Sequence, residues 1–263
     1  MRHSTVLLTG AYGGLGQAIA HALAARGAKL LLSGRRAELL EPLAEAVGGR
    51  SVVCDLAARG DVARLGELAA EAGVGILIAN AAVPASGALQ ELTQRQIDDM
   101  LEVNLRAPVA LARSLVPGMV ARGSGQLVFI SSLQGKAATP GAPLYLASKF
   151  GLRGLALGLR EDLREHGVGV STVFPGFIRD AGMFAKSGVT LPPGVGTRSP
   201  QDVAAAVLRA IDEDRAELDV APLALRLGAT AAGVAPALAA SVSRRLGSHR
   251  IASSIADTQR DQR

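Results

Sequence analysis

The stretch LLTGAYGGLGQAIA, residues 7–20, decides the fold of this chain. It begins with apolar residues typical of a buried strand, passes through a glycine-rich loop and continues with the apolar periodicity of a helix. The loop places Gly10, Gly14 and Gly16 between the two elements. Glycines at such a junction allow a tight turn and let backbone N–H groups approach an anion at the helix N-terminus. Glycines also end ordinary strands, but a strand before and a helix after this loop favour a dinucleotide-binding site.

Apolar strands alternate with helices along the rest of the chain. Six strands are predicted at 5–10, 28–34, 51–56, 75–80, 125–132 and 167–176, and residues 216–222 are a candidate for a seventh. Helices are predicted at 15–27, 36–47, 60–72 and 93–122, with a further one from about 143 to 165. Strands that are apolar throughout and separated by helices indicate a parallel sheet covered on both faces. The sequence therefore predicts an α/β fold: a single doubly wound Rossmann-type domain, with a mostly parallel sheet of six to seven strands and helices on both faces.

Composition argues against several other classes of protein. The chain has 263 residues, of which 49% are apolar and 3% aromatic, and a net charge of +5. Its basic residues form no long block and lack interleaved aromatics, so no nucleic-acid partner is predicted. The lone Cys54 and four scattered histidines argue against a disulfide framework or a metal site. The N-terminus runs directly into a strand, and no run of about 20 apolar residues suggests a membrane span, so a cytoplasmic protein is expected.

Two segments depart from the alternating pattern. Residues 181–199 are rich in Gly, Pro and Ser and follow the sixth strand, where a mobile loop could cover a substrate. Residues 223–263 form a basic, Ala- and Leu-rich extension of the domain at 1–222. The extension is expected to be a packed helix followed by a frayed tail. A subunit interface and contact with an anionic membrane surface are the alternatives.

The end of the second strand discriminates between the two nicotinamide cofactors. An acidic residue there would bind the adenosine ribose and repel a 2′-phosphate. This chain instead has Ser33 and Gly34 followed by Arg35 and Arg36. Arginine suits a phosphate through its fork of N–H donors, so NADP(H) is favoured over NAD(H), with two solvated arginines as the alternative. Asp55, after the third strand, is expected either to contact the adenine edge or to cap a helix.

The sequence PLYLASKFG, residues 143–151, places Tyr145 four residues before Lys149 on a predicted helix. Residues four apart share a helix face, so both side chains can point into one site. A nearby ammonium favours the phenolate and lowers the tyrosine pKa from its usual value of about 10. Ser132, at the end of the fifth strand, is suited to hold a substrate oxygen beside the phenol. The set indicates proton transfer coupled to hydride transfer, although a Tyr–Lys pair alone also fits a solvated surface.

Over residues 4–222 the chain resembles the short-chain dehydrogenase/reductase family. Residues 9–16 resemble its cofactor loop, and Asn80-Ala81-Ala82 resembles its NAG segment with alanine in place of glycine. Asn104 in LEVNL, the interval between Ser132 and Tyr145, and the Pro175-Gly176 turn match further motifs in the family order. A departure follows that turn, where this chain has FIRD in place of the threonine that members often use to contact the cofactor.

The resemblance implies a role for each of these residues. Tyr145 would be the general acid in reduction and the base in oxidation, and Ser132 would polarise the substrate oxygen. Lys149 would bind the nicotinamide ribose and lower the tyrosine pKa, and Asn104 would support a water in the proton relay. Ser131 is expected to point elsewhere. The cofactor contacts expected from motifs and resemblance together are Gly10, Tyr12, Gly13, Gly14, Leu15, Gly16, Ser33, Arg35, Arg36, Asp55, Leu56, Asn80, Ala81, Ala82, Tyr145, Lys149, Pro175, Gly176 and Ile178.

The leading hypothesis is an NADP(H)-dependent oxidoreductase that interconverts a carbonyl and a secondary alcohol. An NAD-dependent alcohol dehydrogenase, a non-catalytic nucleotide sensor or scaffold, and a membrane-surface protein are the alternatives. Fatty-acyl, steroid-like, polyol and xenobiotic carbonyls all remain open as the small-molecule substrate. The residues expected around the substrate are Gly87, Leu89, Gln134, Pro140, Ala142 and the 181–199 loop. The resemblance also implies a homo-oligomer, either a dimer or a tetramer.

Overall fold

A seven-stranded sheet forms the centre of the molecule. The structure, a computed structural model, describes residues 4–84, 87–187, 191, 195–237 and 241. The sheet order is β3-β2-β1-β4-β5-β6-β7, and every neighbouring pair of these strands is parallel. The predicted doubly wound fold is confirmed, with the seven named strands wholly parallel. The strands are β1 Thr5–Thr9, β2 Lys29–Gly34, β3 Arg50–Val53, β4 Ile76–Ala79, β5 Gly125–Ile130, β6 Val168–Pro175 and β7 Glu217–Val220.

Helices connect successive strands. Those in the described residues are α1 Gly14–Ala24, α2 Ala37–Ala46, α3 Arg59–Glu71, α4 Gln94–Leu101, α5 Ala107–Arg122, α6 Pro143–Leu163, α7 Gly182–Ser187, α8 Pro200–Glu213 and α9 Leu223–Val234. The prediction of one continuous helix at 93–122 is wrong in one respect, because a π-helical turn at Glu102–Arg106 separates α4 from α5. Thr93 begins α4 through a capping box with Gln96, as its hydroxyl accepts from the Gln96 N–H and the Gln96 carboxamide accepts from the Thr93 N–H.

Apolar side chains on the two faces of the sheet form two core clusters. Val6 and Leu8 on β1 point to the face covered by α1, α2 and α8, whereas Leu7 points to the face covered by α3, α5 and α6. Successive strand residues point to opposite faces, so a strand with helices on both sides is apolar over most of its length. Its few polar residues, such as Ser33 on β2 and Thr172 on β6, are buried. Burial on both faces explains the apolar runs that predict the strands.

The sheet order reverses direction at β1, which has β2 on one side and β4 on the other. Ligands of doubly wound sheets bind at such a switch point, beyond the carboxyl ends of the strands. The polar residues that follow β1, β2, β3, β4 and β5 therefore converge on one crevice. The strand ends predicted at 56, 80 and 132 run beyond the observed ends at Val53, Ala79 and Ile130, because the polar residues there leave the sheet to face the crevice.

The two segments that depart from the alternating pattern each contain a helix in their described residues. After β6, Ile178 pairs with Arg198, and the Arg179 N–H donates to the Arg198 carbonyl at 2.9 Å, which closes the intervening segment at its base. The expectation of a loop without secondary structure at 181–199 is wrong in part, since α7 lies within it. In the extension, α9 confirms a helix, whereas the expected frayed tail falls on residues that lie outside the described part of the chain. The suggested membrane contact of residues 223–263 stays an alternative that the structure does not test. The division into 1–222 and 223–263 stays a prediction.

Candidate active site

A cavity of about 1290 Å³ lies at the carboxyl edge of the sheet. Its wall brings together every predicted cofactor contact, together with Ser132, from segments that are far apart in the sequence. Asn104 does not line it, although the neighbouring Val103 does. The predicted site residues are therefore assembled around one space with a single exception.

The glycine loop forms one end of the cavity. Gly10 has a φ of +63°, and a Cβ there would lie 2.8 Å from the Cα of Ala81, so only glycine fits the turn comfortably. The Asn80 carboxamide donates to the carbonyls of Thr9 and Gly10 at 3.0 and 3.1 Å and thereby joins the end of β4 to the loop. A Cβ at Gly16 would collide with the Gly10 carbonyl, and one at Gly14 would lie 2.5 Å from the Ala181 Cβ. The loop is a rigid cradle whose exposed backbone suits a pyrophosphate.

The end of β2 has the features expected of a site for the adenosine ribose. Gly34 lies against the ring of Tyr12, and any side chain at position 34 would collide with that ring. The Arg36 guanidinium lies 4.9 Å from the Tyr12 ring centroid, whereas Arg35 is exposed and forms no ion pair within the described part of the chain. The Ser33 side chain is buried and lies within hydrogen-bonding reach of the Cys54 thiol. An exposed arginine that has no ion pair in the described part of the chain fits a ligand with several acceptor oxygens.

Asp55 has a local structural role in addition to its place on the cavity wall. Its carboxylate accepts from the Ala57 N–H at 3.1 Å, while its own N–H donates to the Asp61 carboxylate at 3.0 Å. The residue before α3 is Ala58, so the suggested helix N-cap is wrong and Asp55 instead stabilises the turn after β3. Leu56 beside it is buried and lines the cavity.

Tyr145, Lys149 and Ser132 meet in the middle of the cavity. Lys149 is 2% exposed, and its ammonium donates to the Ile130 carbonyl at 3.0 Å and lies 5.6 Å from the Tyr145 ring centroid. The Ser132 side chain lies within hydrogen-bonding reach of the Tyr145 phenol. The Ser131 hydroxyl donates to the Lys149 carbonyl at 3.1 Å, so it points into the protein as expected. Lys149 is thus held by the end of β5 beneath the phenol.

Burial controls the protonation of this pair. Desolvation raises the pKa of Tyr145 to about 12, while the hydrogen bond with Ser132 acts weakly in the opposite direction. Desolvation also lowers the pKa of Lys149 to about 8. The pKa of Tyr145 therefore lies above its usual value, because the loss of hydration outweighs any opposing effect of the Lys149 ammonium, which is bonded to the Ile130 carbonyl. That the charge of Lys149 stabilises the phenolate stays a prediction. At pH 7 the phenol is neutral and most of the lysine is charged.

Asn104 lies in the π-helical turn with 1% of its surface exposed. Its carboxamide accepts from the Val83 N–H at 2.8 Å and donates to the Val83 carbonyl at 3.0 Å. The side chain therefore fixes the segment after β4, which lines the cavity, and is directed at Val83 rather than at the phenol. The LEVNL motif predicts the residue but not this contact.

The far end of the cavity differs from the expected substrate surroundings. Gln134 lines it as predicted, but Gly87, Leu89, Pro140 and Ala142 do not, and Leu89 is 53% exposed. Met183 and Phe184 also line it, as predicted for the 181–199 loop. The apolar residues that sequence reasoning missed are Phe177 after β6 and, on α9, Ala224, Leu225, Gly228, Ala229 and Ala232. Their apolar character is visible in the sequence, but the position of α9 beside the turn at Leu133–Gly135 is not.

Two further observations bear on the class of protein. Within the described residues, no group of three or more His, Cys, Asp or Glu side chains is placed to hold a metal ion. No helix in that part of the chain is both long and apolar enough to cross a membrane.

The fold and the glycine-lined crevice define a Rossmann-type protein that binds a dinucleotide. A family profile described as short chain dehydrogenase matches residues 4–190. The match covers more than half of the chain, so the chain belongs to the short-chain dehydrogenase/reductase family. The protein is accordingly an NAD(P)-dependent oxidoreductase.

Similar proteins include enzymes and solved structures. The ketoacyl reductase HetN of a Nostoc species is 35% identical over 224 residues, which are 82% of this chain and 78% of that protein. A short-chain dehydrogenase from Sphingobium yanoikuyae, solved in complex with NADPH, is 30% identical with a TM-score of 0.78, and the match covers 89% of this chain and 95% of that one. A bulky-bulky ketone specific alcohol dehydrogenase from Comamonas testosteroni is 27% identical with a TM-score of 0.75, and the match covers 83% of this chain and 86% of that one.

Proposed function

We propose that the protein interconverts a carbonyl compound and a secondary alcohol with NADP(H) as the cofactor. The observation that carries this proposal is the Tyr145 phenol, which has Ser132 within hydrogen-bonding reach on one side and the buried Lys149 ammonium beneath it. The bound nicotinamide supplies a hydride in reduction and accepts one in oxidation. The protein must then give a proton to the substrate oxygen or remove one from it.

Tyr145 acts as the acid in reduction. Because the phenol has a pKa of about 12, it is protonated at neutral pH and can donate to the carbonyl oxygen as the carbonyl carbon gains the hydride. The phenol O–H bond breaks, an alcohol O–H bond forms, and the phenolate that remains is stabilised by the Lys149 charge. Ser132 holds the substrate oxygen in place. Oxidation of an alcohol runs through the same atoms in reverse.

Asn104 acts through position rather than through contact with the substrate. Its two hydrogen bonds fix Val83, whose side chain forms part of the cavity wall beside the catalytic residues. The π-helical turn leaves backbone carbonyls without the usual helical partner, and such turns often occur at functional sites. We therefore assign the expected support of a relay water to the backbone of this turn, with the carboxamide as its anchor.

Reduction is expected to weaken as Lys149 loses its proton. With a lysine pKa of about 8, raising the pH from 8 to 10 removes the charge that stabilises the phenolate, so kcat/KM for reduction should fall about tenfold per pH unit in that range. The measurement is a profile of kcat/KM from pH 6 to 10. A profile that stays flat up to pH 10 would contradict this role of Lys149.

NADP(H) is the preferred cofactor in this proposal. Support comes from the exposed Arg35, which forms no ion pair with any residue that the structure describes, and from the absence of an acidic side chain at Gly34. The related Sphingobium structure contains NADPH. An NAD-dependent alcohol dehydrogenase of the same family is the alternative.

Arg35→Ala is expected to weaken NADPH binding about tenfold or more while changing NADH binding less than about twofold, since only NADPH carries the 2′-phosphate. Cofactor fluorescence titrations measure both constants. Arg113→Ala, an exposed arginine on α5 away from the cavity, is the matched control and should leave both unchanged. If Arg35→Ala weakened NADPH and NADH binding equally, or if the wild type bound NADH more tightly than NADPH, the NAD-dependent alternative would be favoured.

The activity itself is tested by following NADPH oxidation in the presence of a panel of ketones and aldehydes. Oxidation of NADPH with formation of the alcohol supports a reductase. Tight NADPH binding without turnover of any carbonyl would instead favour a nucleotide sensor.

We also propose that the protein is a homo-oligomer, a dimer or a tetramer. Two exposed apolar side chains on α6, Phe150 and Leu157, and Val109 on α5 support this because they leave apolar surface on neighbouring helices. Sedimentation equilibrium of the full chain measures the state.

A further inference from the structure

The half of the cavity beyond Ser132 and Tyr145 has a composition that points to a substrate class. We propose that this half binds a bulky, uncharged and apolar ketone or the corresponding secondary alcohol. The inference rests on the proposed function and deepens it by narrowing the open substrate classes. It excludes polyols, sugars and small keto acids as preferred substrates.

Charge is confined to the other half of the cavity. The charged side chains that line it within the described residues are Arg35, Arg36, Asp55 and Lys149. The first three lie at the ends of β2 and β3, and Lys149 lies beneath the phenol. A substrate carboxylate or phosphate beyond Ser132 would lose its hydration without gaining a described counter-charge, which is strongly unfavourable.

The polar side chains of the substrate half are already engaged with each other. Gln134 and Thr139 both line this region, and the Gln134 carboxamide donates to the Thr139 hydroxyl. Most of the remaining wall is aliphatic or aromatic, including Leu133, Met183 and the ring pair Phe177–Phe184, whose centroids are 5.0 Å apart. Such a wall offers little to the hydroxyl groups of a polyol, which would exchange bonds to water for apolar contacts.

The wall formed by α9 makes this half of the cavity wide. Ala224, Gly228 and Ala232 recur every four residues along the face of α9 that lines the cavity. Gly233 packs α9 against the protein, since a Cβ there would lie 3.2 Å from the Lys136 carbonyl in the segment that follows Ser132. A Cβ at Gly228, in contrast, would meet no atom within 4 Å. Small side chains on a fixed helix therefore leave room for substrate beside the catalytic serine.

The volume supports a substantial second ligand. The whole cavity is about 1290 Å³, whereas a pocket for one drug-sized molecule is typically about 300–1,000 Å³. A dinucleotide in the glycine-lined half leaves space beside α9. An apolar substrate gains affinity by filling such space, at about fourfold for each buried methylene group.

The first test compares phenyl ketones that differ by one methylene, from acetophenone through propiophenone and butyrophenone to valerophenone, with NADPH. We expect kcat/KM to rise about fourfold per methylene until the space is filled. We expect 4-acetylbenzoate to be at least about tenfold poorer than 4-isopropylacetophenone, which has a similar shape without the charge. The inference would be overturned if kcat/KM stayed constant or fell as the alkyl chain of the ketone lengthened. It would also be overturned if kcat/KM were equal for 4-acetylbenzoate and 4-isopropylacetophenone.

The second test fills the space from the protein side. Gly228→Leu should place its side chain in the cavity and lower kcat/KM for valerophenone at least about tenfold, while that for acetophenone changes less than about threefold. Gly60→Leu, at an exposed position of α3 outside the cavity where a Cβ also meets no atom within 4 Å, is the matched control and should affect neither ketone. Equal losses on both ketones in Gly228→Leu would contradict a wall that selects by size.

Failure of the inference can be told apart from failure of the proposed reaction by measuring binding. The same ketones are titrated into the complex of NADPH with the Tyr145→Phe variant, and the cofactor fluorescence is followed. Size-dependent binding that is lost in Gly228→Leu supports the apolar site even if no ketone is reduced. Absence of binding by every apolar ketone overturns the inference, whether or not smaller carbonyls are turned over.

Discussion

Tyr145→Phe is expected to lower kcat for carbonyl reduction by about 10²–10⁴-fold, the range typical of general acid–base catalysis, while NADPH still binds. The substitution keeps the ring and removes only the hydroxyl that lies within reach of Ser132. Lys149 is held on the Ile130 carbonyl at 3.0 Å.

The measurement combines steady-state reduction of one ketone with a fluorescence titration of NADPH. Loss of turnover with an unchanged dissociation constant would show that the phenol serves the chemical step. Turnover within about threefold of the wild type would show that the proton comes from elsewhere and would contradict the proposed mechanism. A circular dichroism spectrum identical to that of the wild type serves as the control for folding.

Lys136→Met is expected to lower the free energy of unfolding by about 3 kcal/mol at pH 7, because it breaks a largely buried ion network. The Lys136 ammonium lies 2.7 Å from the Asp219 carboxylate and 3.0 Å from that of Glu217. Both acids project from the same face of β7, so loss of the shared cation leaves two like charges close together. Arg153 on α6 partners Glu217 at 2.6 Å, and Arg226 on α9 lies 3.9 Å from Asp219. The network therefore joins α6, β7 and α9.

The loss of unfolding free energy caused by Lys136→Met is expected to be smaller in acid. Hydrogen bonds from Arg153 and Lys136 hold the pKa of Glu217 below its ordinary value of 4.5, although burial alone would raise that pKa. A carboxyl whose pKa is lower in the folded state contributes stability above its unfolded pKa and loses it as the pH falls through its folded pKa. The difference between wild type and Lys136→Met should thus be largest near pH 7 and decrease below about pH 4.5.

Urea denaturation at pH 7 and pH 4 measures this difference. Lys29→Met replaces an exposed lysine of β2 and is the matched control, expected to change stability by less than about 0.5 kcal/mol. A difference of less than 1 kcal/mol for Lys136→Met at pH 7 would show that the network contributes little, as some buried ion pairs do when an apolar residue of similar size replaces one member.

Local features of the sequence predict much of the fold and many of the residues that line the cavity. The glycine loop is visible in the sequence because its turn needs glycine at particular positions, such as Gly10 with its positive φ. The burial of a strand on both faces requires a run of consecutive apolar residues, as Val6, Leu7 and Leu8 of β1 show. Such requirements act over a few neighbouring residues and are therefore visible in the order of the amino acids.

Other features depend on residues that are distant in the sequence. Asn104 matches a motif, but its hydrogen bonds with Val83 depend on the π-helical turn, and no local sequence pattern predicts that turn. The pKa of Tyr145 could not be read from its spacing to Lys149, since the outcome depends on how much water the fold removes. Desolvation belongs to the whole surroundings of a group rather than to its nearest sequence neighbour.

The sequence by itself determined the doubly wound class, the glycine cradle and the identity of the Ser132, Tyr145 and Lys149 set, because each is encoded in short-range periodicity or spacing. Only the tertiary structure decided that α9 lines the cavity, that Arg35 has no ion pair in the described part of the chain while Arg36 lies over Tyr12, and that Lys136 joins β7 to its neighbours. These arrangements depend on packing between elements far apart in the chain. The physical reason is that contact, burial and charge pairing are properties of three-dimensional neighbours, which sequence order does not specify.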